Sequence, residues 1–199
     1  MTPESSRMKA LFIGDSIIEG SIGVNFTDII ERQNPGITVL NHGIPGDTLP
    51  GISRRLLRLV AGEEDFDLIL LEGGHNDILM APWFGREGPA GIVEELGGIL
   101  DNTLEQVKLN FQGKVIITTL SCLGEDLEGE ENLIRARLNK VIRDLAAKHG
   151  CTVADVGKAF DEVLRKKQGR GGLFLTIDGV HINSRGAELY AREIGRSLF

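Results

Sequence analysis

Five short runs of continuous hydrophobicity, each followed by a longer stretch of mixed polarity, constrain the fold of this chain more than any other feature. The runs cover residues 9–13, 37–41, 68–72, 115–120 and 152–155 and are rich in Val, Ile and Leu. A strand that is apolar at every position, rather than at alternate ones, must be covered on both faces, as in a parallel sheet. The stretches between read as helices over 17–32, 49–61, 91–110, 130–149, 158–166 and 184–197. Within 130–149, Leu133, Ile134, Leu138, Val141, Ile142 and Leu145 follow helical spacing, and His149-Gly150 ends the helix with a cation-capable side chain and a C-terminal glycine. Strand–helix alternation with right-handed crossovers predicts an α/β fold, a three-layer α/β/α sandwich doubly wound around a five-stranded parallel sheet.

At 199 residues, without an internal repeat or a linker, the chain reads as one domain spanning 1–199. Such a length buries roughly 70% of the unfolded surface, so neither disulfides nor a metal are needed to fold it. A formal net charge of -7 argues against a general nucleic-acid binder. No apolar stretch has membrane-spanning length, and the polar start Met1-Thr2-Pro3-Glu4-Ser5-Ser6-Arg7 lacks the pattern of a secretory signal, so the expectation is a cytoplasmic protein. The two cysteines, Cys122 and Cys151, fall after strand four and at the start of strand five, at opposite edges of a parallel sheet. They are expected as buried, reduced thiols.

In such sheets ligands bind at the carboxyl edge of the strands. Three irregular segments, 80–90, 121–129 and 167–176, are expected there, together with four short motifs. Gly14-Asp15-Ser16 ends strand one. A serine there caps the next helix, with Glu19 completing a capping box, or presents a hydroxyl beside helix N-terminal amides able to stabilise an oxyanion. The nucleophile reading requires a base. Of His42, His75, His149 and His181, only His181 has a carboxylate at a short, loop-compatible offset, Asp178 in Asp178-Gly179-Val180-His181. A carboxylate so placed accepts the Nδ1 proton and leaves Nε2 free for the serine; a surface turn holding both residues is the plainer reading. Gly46, in Gly43-Ile44-Pro45-Gly46-Asp47, allows a backbone N–H to approach a ligand, or is a turn glycine before a helix capped by Asp47 or Thr48. Asn76, in Gly74-His75-Asn76-Asp77, offers a side-chain amide donor, or is an Asx-turn residue.

With Ser16, Gly46, Asn76 and His181 in four blocks of matching order between residues 14 and 181, the chain resembles the SGNH hydrolases, also called the GDSL esterase/lipase family. The resemblance implies a flavodoxin-like sandwich, Ser16 as nucleophile, His181 as base and Asp178 as its orienting carboxylate. It implies an oxyanion hole made of the Ser16 and Gly46 N–H groups and the Asn76 side chain, and hydrolysis of a small-molecule ester without metal or organic cofactor. Ile17 follows the serine where leucine is frequent, and His75 stands where threonine or serine is frequent. Asp15, His75 and Trp83 are the candidate substrate-binding residues; Trp83 and Phe84 either wall the pocket or pack their own loop. Short loops leave no room for a lid domain, which favours short acyl chains. An acyltransferase and a non-catalytic binding module are the competing readings. Arg54, Arg55 and Arg58 read as a solvated helix face, and the acidic run 124–131 as a solvated loop.

Overall fold

A computed structural model describes residues 7–62, 64–81, 88–167 and 172–199. Five parallel strands form one sheet in the order β2-β1-β3-β4-β5: β1 Met8–Gly14, β2 Ile37–Gly43, β3 Leu68–Leu71, β4 Lys114–Thr118 and β5 Thr152–Ala154. Eight helices complete the described chain: α1 Ser16–Glu19, α2 Phe26–Gln33, α3 Leu49–Val60, α4 His75–Met80, α5 Gly88–Asn110, α6 Glu130–His149, α7 Val156–Lys166 and α8 Ser184–Leu198. The doubly wound α/β sandwich expected from the apolar runs is the fold observed.

Alternate residues of the strands feed two cores. Ala10 and Phe12 of β1 join Phe26, Phe160, Tyr190 and Ile194 from α2, α7 and α8. Leu11 and Ile13 join Leu49, Ile52, Leu96, Leu104, Leu138 and Ile142 from α3, α5 and α6. All four residues of β3 are buried, as strands covered on both sides require. β1 pairs with both β2 and β3, placing Gly14 opposite Gly43 and Ile13 opposite Leu71. The winding reverses between β1 and β3, and their carboxyl ends flank the crevice where such sheets bind ligands.

Several local expectations are corrected. The helix read over 17–32 is two helices, because Gly20 closes α1 in the left-handed region (φ 80°) and Asn25 starts α2 by accepting from the Thr27 N–H. The capping box does not form: Asp15 is the cap, accepting from Ile17 N at 2.9 Å, and Glu19 turns away to accept from Ser21 N. Thr48 is the N-cap of α3 but makes no side-chain bond there. α4 has no counterpart among the helices read from the sequence. Leu133 faces solvent, off the buried stripe of α6, while Arg135 on that helix is buried against Asp161 at 2.7 Å. Both cysteines are free; Cys122 is buried, its thiol pushed up to about 12 by burial, whereas Cys151 is only half-buried. No described helix is long and apolar enough to cross a membrane.

Candidate active site

Ser16 is the first residue of α1, separated from the end of β1 by Asp15 alone. Gly14 is required for that turn: a Cβ there would lie 2.9 Å from the Glu72 carbonyl oxygen, too close for any side chain. Asp15 holds the turn from below through its bond to Ile17 N, which leaves the Ser16 hydroxyl facing the crevice. His181 arrives from the other end of the chain. Its Nε2 lies 3.0 Å from Ser16 Oγ, and its Nδ1 lies 2.6 Å from Asp178 Oδ2.

The loop carrying this pair is tied down along its length. Thr176 and Ile182 form an isolated bridge, and Ile177 N donates to the His181 carbonyl at 2.8 Å. Asp178 Oδ1 accepts from the Val180 and His181 N–H groups. Burial works against the Asp178 charge, but the bonds from the His181 ring and these two amides outweigh it and hold the carboxyl below its ordinary range. Upstream, the Glu125 carboxylate accepts from the N–H groups of Phe174, Leu175 and Thr176, from the Thr176 hydroxyl and from Lys167. The solvated reading of residues 124–131 therefore fails at Glu125, whose partners are about fifty residues away and invisible to local pattern.

The donor side of the site comes from two further strand ends. Gly46 sits at φ 76° with open space around it, a conformation that favours glycine. Asn76, in the first turn of α4, donates from Nδ2 to the Asp47 carbonyl at 2.9 Å, with Asp15 Oδ2 at a marginal 3.5 Å. Asp77 beside it is fully buried and accepts from Leu49 N at 2.7 Å. The Asn76 and Asp77 side chains thus bind the start of α4 to the loop and helix following Gly46. Arg55 fixes that loop from the other side: it pairs with Asp47 and donates to the His42 and Gly14 carbonyls. Arg55 is therefore not part of a solvated face, while Arg54 and Arg58 are exposed as expected.

Beneath Ser16 lies a charged cluster that the sequence reading only half anticipated. Asp15, Glu72 and His75 are each about 1% exposed. That overturns Asp15 and His75 as substrate-binding residues, since neither has surface left for a ligand; Trp83, the third, lies outside the described residues. His75 Nδ1 is 2.9 Å from Glu72 Oε1, off the hydrogen-bond line, and 3.9 Å from Asp15 Oδ2. Its Nε2 is 3.2 Å from Ser121 Oγ, which also accepts from the Tyr190 hydroxyl at 3.0 Å. Burial pushes both carboxyl groups up to about 7, helped at Asp15 by the neighbouring Glu72 charge. Burial pushes the His75 ring down. Two carboxylates this close and dry resist simultaneous ionisation. The trio also offers ligand atoms within 4.8 Å of one another, the one such cluster among the described residues. The 2.9 Å separation is shorter than the ~3.3 Å edge of a tetrahedral site with ~2.0 Å bonds, so an ion would have to spread the cluster.

Over residues 12–189 the chain matches the GDSL-like Lipase/Acylhydrolase family. It belongs to that family. Members are ester hydrolases, and the chain is a carboxylic ester hydrolase of the serine type, acting on small-molecule esters. No curated protein sequence matches it. Among solved structures, a lipolytic protein of the G-D-S-L family from Veillonella parvula is 22% identical with a TM-score of 0.78, over 96% of this chain and 98% of that one. The acetyl xylan esterase AlAXEase is 20% identical with a TM-score of 0.82, over 96% and 100%. The acetylxylan esterase Axe2 of Geobacillus stearothermophilus is 21% identical with a TM-score of 0.78, over 96% and 94%. These likenesses bear out the three-layer fold.

Proposed function

We propose that this esterase works through an acyl-enzyme on Ser16 and prefers short acyl groups. The observation that carries the reading is the unbroken relay from Asp178 Oδ2 through the His181 ring to Ser16 Oγ. Ser16 Oγ attacks the ester carbonyl as its proton passes to His181 Nε2. Asp178 holds the ring with Nδ1 protonated and stabilises the imidazolium. The carbonyl oxygen, now negative, is met by the Ser16 and Gly46 N–H groups and by Asn76 Nδ2, whose second proton is held only by the marginal contact to Asp15. The tetrahedral intermediate collapses, and His181 returns the proton to the departing alcohol. Water then adds to the acyl-enzyme by the same route and frees the acid. Preorganised donors of this kind are worth on the order of a hundred- to a thousandfold each.

The short-acyl preference is supported by the acetyl esterases among the structural relatives. The free cysteines Cys122 and Cys151 support a reducing compartment, the cytoplasm. The test is Ser16→Ala assayed on p-nitrophenyl acetate and p-nitrophenyl palmitate. The expected result is near-complete loss on acetate, with acetate far preferred over palmitate by the unaltered chain. Full activity of the purified variant would sink the mechanism.

A further inference from the structure

Beside Gly46 opens a cleft of about 480 Å³ that the steps above do not use. One wall is the loop through Gly46 and Asp47; the other is α3, with Gly51, Arg54, Arg55 and Arg58. The three arginines are in different states. Arg55 is already engaged: it pairs with Asp47 at 2.8 Å and donates to two backbone carbonyls. Arg54 and Arg58, one helical turn apart, are exposed and make no ion pair or hydrogen bond among the described residues. With Asp47 neutralised by Arg55, the cleft carries two unopposed positive charges. Asp47 is the one acid among the residues that line the cleft. The start of α3 adds nothing to this charge, because the Asp77 carboxylate already accepts from Leu49 N and Asp47 from Thr48 N.

This field runs against the chain as a whole, whose formal net charge is -7. A negative protein repels anions from most of its surface, so a positive cleft opening at one oxyanion donor selects what approaches that donor. Guanidinium forks match the planar carboxylate and the tetrahedral phosphate alike, and bind either by paired N–H donors. A neutral alcohol or acyl group of the same size would gain nothing from the two charges.

We propose that the Arg54–Arg58 cleft is a subsite for an anionic group on the substrate, so that the preferred ester carries a carboxylate or a phosphate on the part that extends past Gly46. The proposal rests on the Ser16 and Gly46 roles assigned above. Exposed charge pairs are worth little singly, so the two arginines together should give a preference of about tenfold. It should sit mainly in KM and shrink as added salt shortens the screening length to about 3 Å at 1 M.

The experiment uses the full chain and three acetyl esters on one framework: 4-acetoxybenzamide, 4-acetoxybenzoate and 4-acetoxyphenyl phosphate. Each kcat/KM is divided by that ester's own alkaline hydrolysis rate, which removes leaving-group differences. The expected result is a ratio of about ten for at least one anionic ester over the neutral one, with the larger of the two ratios telling carboxylate from phosphate. In Arg54→Ala/Arg58→Ala the ratio falls to about one, and in Arg54→Glu/Arg58→Glu it drops below one. A ratio at or below one in the unaltered chain, with the neutral ester turned over, overturns this proposal alone. So does a preference that survives both double variants. No turnover of any of the three esters overturns the serine-hydrolase roles and this subsite with them.

Discussion

Two histidines of this protein lie against carboxylates at nearly the same distance, His181 at 2.6 Å from Asp178 and His75 at 2.9 Å from Glu72. Their settings are opposite. Asp178 keeps nearly half of its side chain in solvent and is held ionised by three hydrogen bonds. Glu72 and His75 are dry, and burial drives the carboxyl up and the ring down, both toward neutrality. A carboxyl and an imidazole therefore make a hydrogen-bonded chain to Ser16 at the rim and a platform driven toward neutrality beneath it. Burial, more than contact distance, decides which pair can carry charge.

The comparison breaks most visibly if the wrong histidine matters. His181→Ala is expected to cost on the order of 10⁴- to 10⁶-fold in kcat, while His75→Gln, whose ring touches no reacting atom, is expected to cost far less. Comparable losses on p-nitrophenyl acetate would erase the distinction. Asp178→Asn should fall between them. Loss of a buried triad aspartate costs about 10⁴-fold; Asp178 is partly solvated, its charge is screened, and a smaller loss of about 10- to 1,000-fold is expected. A loss as large as that of His181→Ala would mean that solvent exposure does not weaken this carboxylate.

The smallest effect concerns stability rather than rate. The Glu72 carboxyl is raised from its ordinary 4.5 to about 7, so the folded state keeps a proton that the unfolded state has released between those values. Its contribution is complete below about pH 4.5 and is lost as pH rises to about 7. Glu72→Gln stays neutral throughout. Its melting temperature, relative to the unaltered chain at the same pH, should therefore rise between pH 5 and pH 8 by about 5–10 °C, from about two pH units at about 1.4 kcal/mol each and about 2–4 °C per kcal/mol for a chain this size. Thermal melts at the two pH values check this, and a difference that shrinks with pH contradicts the neutral platform.

What was legible in the sequence and what was not divides along the range of the interactions. Continuous runs such as Leu68-Ile69-Leu70-Leu71 declared a covered parallel strand, because each residue's environment is set by the sheet itself. Ser16, Asp178 and His181 were legible as chemistry because the block order supplied the long-range pairing that spacing alone lacks. Glu72 was not, since a glutamate closing an apolar run looks like a solvated strand end; its burial depends on Asp15 and His75 meeting it from β1 and α4. Arg55 and Glu125 escaped for the same reason. Each is one charge in a charged stretch, singled out only by distant carbonyls or amides. The short α4 was hidden by its two preceding glycines, and the break between α1 and α2 by apolar residues that carried the helical pattern across Gly20 and Gly23.

The bond between His181 and Ser16 spans 165 residues of sequence. A chain made from its N-terminus completes the proposed nucleophile 165 residues before the proposed base. Until the segment held by Glu125 docks, Ser16 is an ordinary alcohol, unable to attack the esters around it. Onset of hydrolysis accordingly reports the docking of that segment, and a chain cut short before residue 172 also loses α8, with Tyr190 and Ile194, from the core.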